Sequence, residues 1–265
     1  MPESCTTNLL QADWPAPAAV RGFVTLRTGG VSRGPWGRAD GRPGGWNLGT
    51  HCGDTAADVA ENRSRLRMLL PGDPCWLDQV HGVDVDDADL RGSNPPSRAG
   101  DDLPRADAAV ATRRGVVLAV LTADCLPVFL CNRSADVVAL AHAGWRGLAA
   151  GVLERTLDAM RQRSADRDWM AWIGPGIGPQ RFEVGDEVRA AFVDADPSAA
   201  AAFAAGLRSG KWQADLSALA RARLLRHGVR HVHGGTCCTA SDAERFYSYR
   251  RDGVTGRFAS LLWLC

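Results

Sequence analysis

No apolar stretch of this 265-residue chain approaches the length a membrane helix needs. The longest, residues 116–121, is the size of one strand, against roughly 18 residues or more for a spanning helix. An excess of charge is missing too. The 31 basic and 30 acidic side chains leave a formal net charge of +1, which gives no global pull toward nucleic acid or an anionic membrane. The start of the chain has neither a basic nor an apolar leader region, so a cytoplasmic location is expected. No Lys-Ser/Thr follows the Gly-Pro-rich run 174–179, so that run reads as a rigid turn and not as a phosphate loop. No Cys-x-x-Cys spacing occurs, and the eight cysteines at 5, 52, 75, 125, 131, 237, 238 and 265 form no disulfide framework. Two tyrosines stand against nine tryptophans, for which there is no physical account.

The patterning predicts a single α+β domain with a large mixed β-sheet core flanked by helices. Strands are expected over 20–27, 75–80, 106–112, 116–121, 126–130, 137–141, 169–173, 229–233, 246–250 and 258–264. Those between 106 and 141 are continuously apolar, as strands buried on both faces are. Helices are expected over 55–70, 147–163, 185–195, 197–205 and 216–227. Asp54 or Thr55 can cap the first, and Gly228 ends the last. Residues 29–49 and 86–105 read as long loops, which in compact domains are usually functional or mobile.

Three segments carry the chemistry: 78–82 (DQVHG), 122–127 (TADCLP) and 141–147 (AHAGWRG). Each contains one soft or borderline metal ligand, His81, Cys125 and His142. Two imidazoles and a thiolate match a catalytic zinc that keeps an open fourth position. Each ligand follows a strand-like run, and strand ends are rigid places for ligands. Asp78, Gln79 and Asp124 are polar neighbours able to fix imidazole tautomers. Two other readings of the same residues stay open. Cys125 and His142 can act as nucleophile and base, or the thiol and imidazoles can be buried and hydrogen-bonded. His51, beside the Gly-rich loop, is a candidate site-lining residue. His231 and His233 share a strand face and suit a paired structural role. Arg27, Arg146 and the Arg250-Arg251 pair are candidate phosphate ligands because a guanidinium presents a fork to phosphate. Gly29, Gly30, Gly144 and Gly147 allow close backbone approach beside two of them. Trp145, Phe246 and Tyr247 can stack on a planar base.

Arg27-Thr28-Gly29-Gly30-Val31-Ser32, Asn47-Leu48-Gly49 with His51, Gly53 and Asp54, the three ligand segments, Ile173-Gly174-Pro175-Gly176-Ile177, and Glu183-Val184-Gly185 together resemble the YfiH-type laccase-domain family, also called multicopper polyphenol oxidases. The tail is similar as well, from Cys238-Thr239 through 245–253 to Thr255-Gly256-Arg257. The resemblance runs in order from about residue 20 to the C-terminus. It implies an N-terminal extension over 1–19 and one domain over 20–265. It implies zinc, with copper as an alternative, held by His81, Cys125 and His142, with Asp124 joining Cys125 and His142 in catalysis. Arg27, Asn47, His51, Arg146 and Arg250 would bind substrate or phosphate. The implied activity is phosphorolysis of adenosine, inosine and methylthioadenosine to base and ribose 1-phosphate, with adenosine deamination beside it. The implied partners are purine nucleoside and phosphate, with no nucleic acid and no membrane, in a monomer or weak dimer. A peptidoglycan-precursor editing role is attached to bacterial members, and a cysteine hydrolase is the alternative the residues allow. Polyphenol oxidation fits poorly, because six histidines cannot build a centre of several coppers. Two departures stand out. Residues 33–46 are longer and more Gly-rich than usual, and Tyr247 stands where the family often has Phe.

Overall fold

A computed structural model describes residues 8–90 and 103–265. The expected leaderless start lies partly, and the expected loop over 86–105 largely, outside the described residues. The chain builds two mixed sheets that face each other, a small third sheet, and helices on the outer faces. The first sheet has the order β1 (Leu9–Gln11), β2 (Val20–Thr25), β15 (Phe258–Leu264), β7 (Val117–Thr122), β4 (Pro74–Cys75). The second runs β14 (Val229–Gly234), β10 (Trp169–Ile173), β8 (Leu126–Asn132), β9 (Val138–Ala143), β6 (Ala108–Ala111), β5 (Val85–Asp87). The third joins β11 (Glu183–Gly185), β13 (Lys211–Ala214) and β12 (Phe203–Ala205).

The α+β expectation is borne out, with the strands divided among three sheets. Why the central strands are apolar throughout is visible in their two faces. On β7, Leu118 and Val120 point between the two larger sheets, while Val117, Ala119 and Leu121 join the outer cluster with Trp46, Leu48 and Leu66. On β8, Phe129 and Cys131 face inward, whereas Leu126, Val128 and Leu130 pack with Leu153, Leu157 and Met160. A side chain on either face of these strands is therefore removed from water.

Helix α1 (Ala56–Arg67) starts where Thr55 accepts the Asp58 amide, a side-chain cap. The helix expected over 147–163 is two, α2 (Trp145–Ala150) and α3 (Val152–Arg161), broken at Gly151 with φ 101°. A left-handed residue ends one helix and glycine adopts it without strain. Helix α4 (Asp186–Val193) and helix α5 (Leu216–Arg226) fall where expected.

Other expectations are corrected. Residues 197–202 form a 3-10 turn that leads into β12 instead of a continuous helix. The strand expected over 246–250 is absent. Ser248 instead accepts the Arg251 amide and caps a short helix, α6 (Tyr249–Asp252). The loop over 29–49 contains β3 (Thr28–Ser32), held by the Asn62 side chain through the Val31 amide and the Ser32 hydroxyl. The seven described cysteines are all free thiols.

Candidate metal centre

The site lies where the chain crosses from one large sheet to the other. Strand β7 ends the first sheet at Thr122, residues 123–125 turn, and β8 begins the second at Leu126. Cys125 is the last residue of that turn. His142 sits at the end of β9, beside Pro127 of β8. His81 arrives from the segment after β4, which bridges to Arg105 through Asp78. The turn is not relaxed. Asp124 has φ 101° and His81 φ 60°, conformations that side chains with a Cβ rarely adopt and that cluster at functional sites.

The three ligand atoms lie within 4.8 Å of one another, the one such group of His, Cys, Asp and Glu among the described residues. Cys125 Sγ is 3.7 Å from His81 Nε2. Zinc bonds of about 2.0–2.3 Å at tetrahedral angles put sulfur and nitrogen ligands about 3.5 Å apart, so the spacing and the donor set both fit one ion. Gly144 makes room for this approach. A Cβ there would lie 2.7 Å from His81 Cδ2 and 2.9 Å from Cys125 Sγ.

Electrostatics favours ligation. Burial by itself would raise the Cys125 thiol, but the neighbouring His142, and then His81, pull its pKa well below the usual thiol value. Burial by itself would lower His142, but Cys125 and Asp107 raise it. Each partner thus shifts the other toward its charged form, and the thiolate is the form that ligates.

The residue that orients the imidazole is Asp107, which the sequence reading missed. It is fully buried, and its Oδ1 accepts His142 Nδ1–H at 2.8 Å. Burial would raise its pKa, but the hydrogen bonds from His142 and from the Gly82 and His81 amides lower it overall. None of the three expected orienting residues has that role. Asp78 pairs with Arg105 at 3.8 Å. Gln79 exchanges hydrogen bonds with the Leu121 backbone. Asp124 accepts the Thr239 hydroxyl at 2.6 Å and the Arg250 amide at 2.7 Å, so it ties the tail to the site.

A pocket of about 550 Å³ opens on the ligands. His51, Asp124, Arg146 and Arg250 line it, as does Trp145. Burial, then Arg257 and Arg63, lower the His51 pKa. Arg257, Phe182 and Tyr249 also line it and were not singled out as site residues. Each pocket arginine lies over a pocket ring: Arg146 over Trp145, Arg250 over Phe182 and Arg257 over Tyr249, at 4.5, 5.0 and 5.9 Å to the centroid.

Arg27 and Asn47 are placed elsewhere. Arg27 is buried, donates to the Gly37 carbonyl at 2.9 Å and lies 3.6 Å from Asp252. It clamps the Gly-rich segment to the tail. Asn47 is buried too and accepts the Arg257 amide at 2.8 Å, so it positions an arginine that does reach the pocket. Arg251 is occupied by the Thr239 and Phe246 carbonyls. Phe246 and Tyr247 are fully buried core.

Two facing mixed sheets with a His-Cys-His cluster at their crossing define an α+β protein able to hold a metal ion in an open pocket. The chain belongs to the family described as multi-copper polyphenol oxidoreductase laccase, whose profile matches residues 21–265. It is 52% identical over 255 residues to a purine nucleoside phosphorylase of Pseudomonas aeruginosa, covering 96% of this chain and 98% of that one. It is 47% identical to purine nucleoside phosphorylase YfiH of Escherichia coli, covering 97% and 99%. A Neisseria meningitidis crystal structure superposes with a TM-score of 0.87 at 46% identity, covering 97% and 99%. YlmD from Geobacillus stearothermophilus superposes at 0.81 with 30% identity, covering 99% and 98%.

Proposed function

We propose that the pocket carries out zinc-dependent phosphorolysis of purine nucleosides. Adenosine, inosine or methylthioadenosine and phosphate would give the free base and a ribose 1-phosphate. The observation that carries this reading is the meeting of His81, Cys125 and His142 in a pocket that also holds three arginines. Relatives bearing the purine nucleoside phosphorylase name support it.

In the reaction a phosphate oxygen bonds to ribose C1′ as the bond from C1′ to the base nitrogen breaks. The electron pair leaves with the base, which takes up a proton. Three guanidiniums suit the phosphate, since each offers paired donors and a fixed charge. Arg146 and Arg250 are exposed, with Arg250 donating to the Glu183 carbonyl at 2.8 Å through one guanidinium nitrogen, while Asn47 holds the backbone of Arg257. Phe182 and Tyr249 give flat apolar walls for the base. His51 lines the same pocket, its pKa lowered by burial and then by Arg257 and Arg63, and is able to share a hydrogen bond with the nucleoside. Bound zinc would supply a Lewis acid that polarises an oxygen in the pocket. Positioning and charge complementarity then provide most of the rate.

Adenosine deamination is a second activity proposed for this pocket, and copper is the alternative metal. The same reading keeps the protein in the cytoplasm as a monomer or weak dimer, with residues 20–265 as its one domain. Ribose 1-phosphate release from inosine and adenosine in phosphate buffer, with elemental analysis of the same sample, tests the proposal. Metal-loaded protein that releases none would end it, and ammonia release from adenosine tests the second activity.

One observation favours a second reading, a thiol hydrolase. Cys125 and His142 lie within 4.8 Å of each other and each shifts the other toward its charged form, as the nucleophile and base of such an enzyme require. Full activity in metal-free protein, abolished by alkylation, would favour it. Loss on chelation and recovery with metal would remove it.

A further inference from the structure

We infer that Asp107 is a positioning residue that sets two of the three ligands at once, fixing the His142 ring and the backbone turn that presents His81. The inference rests on reading His81, Cys125 and His142 as metal ligands.

Four donors converge on one buried carboxylate. Oδ1 accepts the His81 amide at 2.9 Å and His142 Nδ1–H at 2.8 Å. Oδ2 accepts the Gly82 amide at 2.6 Å and the Val80 amide at 3.2 Å. A carboxylate has about four lone-pair sites, so the group is saturated. Its main chain takes part as well, since the Asp107 carbonyl accepts the His142 amide at 2.6 Å. Ring and backbone of His142 are thereby held from a single residue.

Three successive amides aimed at one anion form a concave turn that is stable only with negative charge at its centre. His81 adopts its left-handed φ inside this turn, so Asp107 offsets that strain. Because the carboxylate can only accept, the His142 proton sits on Nδ1. The other nitrogen, Nε2, is then left for a metal, the arrangement found where a carboxylate orients a ligating histidine. Gly147 completes the fit, because a Cβ there would lie 2.7 Å from the Gly82 carbonyl.

Asparagine is the informative substitution. It keeps the shape, yet its amide nitrogen must face two of the four donors. The test measures Zn²⁺ affinity by competition with a chromophoric chelator for wild type, Asp107→Asn, Asp78→Asn and Cys125→Ala. Asp107→Asn should bind about 10–100-fold more weakly than wild type. Its Co²⁺-loaded absorption spectrum should shift, a change that loss of fold stability alone does not produce. Asp78→Asn, on the same segment but outside the turn, should match wild type. Equal affinity and an unchanged cobalt spectrum in Asp107→Asn would overturn the inference. Wild type that binds no tighter than Cys125→Ala would instead overturn the ligand reading, a distinct result. Nitrogen-15 spectra of zinc-loaded wild type need no variant to fold. They should show a protonated His142 Nδ1 and a metal-bound Nε2, and a metal-bound Nδ1 would overturn the inference.

Discussion

The Tyr247 hydroxyl donates to the Trp36 carbonyl at 2.5 Å and lies 3.3 Å from the Arg27 carbonyl. The Gly-rich segment 33–46 and the tail meet in this contact. The hydroxyl fastens that segment to the tail. Removing it in Tyr247→Phe leaves the part-buried Trp36 carbonyl without this donor and should cost about 0.5–1.5 kcal/mol. Urea unfolding reads that loss. Metal content of the variant should equal that of wild type, because the contact lies in the core and outside the ligand cluster.

Arg27 and Arg146 should part company on substitution. Arg27→Ala removes a buried clamp with a carbonyl partner and an acidic neighbour, so it should lower the thermal midpoint. Arg146→Ala should leave the midpoint in place and raise the KM for phosphate about 10-fold or more, as expected for loss of a charged hydrogen bond worth about 1.5–3 kcal/mol. Steady-state kinetics beside calorimetry separates the two. A lowered midpoint in Arg146→Ala with an unaltered KM would contradict the assignment.

Gly144→Ala places a methyl group against both His81 and Cys125. The ligands must move apart by tenths of an ångström, and small misplacements of reacting groups can cost up to about 100-fold in rate. Turnover of inosine should fall steeply while the far-ultraviolet circular dichroism spectrum stays that of wild type. Undiminished turnover would show that the ligands need not approach this closely.

Dialysis against a strong chelator should strip the ion, lower the unfolding midpoint and abolish nucleoside turnover, and added Zn²⁺ should restore both. Binding to the folded state alone stabilises it by mass action. In His81→Ala the added metal should have little effect on the midpoint.

Strands such as β7, β8 and β9 were legible because their apolar runs, broken only near the ends by Thr122, Asn132 and His142, leave few alternatives to burial on both faces. Cys125 and His142 were legible because each follows such a run, whereas the strand expected over 75–80 shrinks to Pro74–Cys75 and His81 is held by a turn instead. Asp107 was not, since a single acidic residue at the head of Ala108–Ala111 looks like an ordinary strand start. Its partners come from residues 80–82 and 142, and no local pattern announces them. The third sheet escaped because β11, β12 and β13 are short and mixed in polarity. Helix α6 escaped because two tyrosines and a phenylalanine outweighed the capping signal of Ser248. Arg27 and Asn47 sit in motifs that look like substrate contacts, yet both bury their polar atoms on backbone groups around the pocket.

The crossing at residues 123–125 carries a consequence for biogenesis. Its ligands come from a segment leaving one sheet, a turn joining two sheets, and a strand belonging to the other. All three lie within residues 81–142, but β7, which leads into Cys125, pairs with β15 at residues 258–264, so the site would be complete for an ion only after the end of the chain joins the first sheet. Uptake of Zn²⁺ would then report the last stage of maturation, and a chain stalled earlier would stay chemically silent.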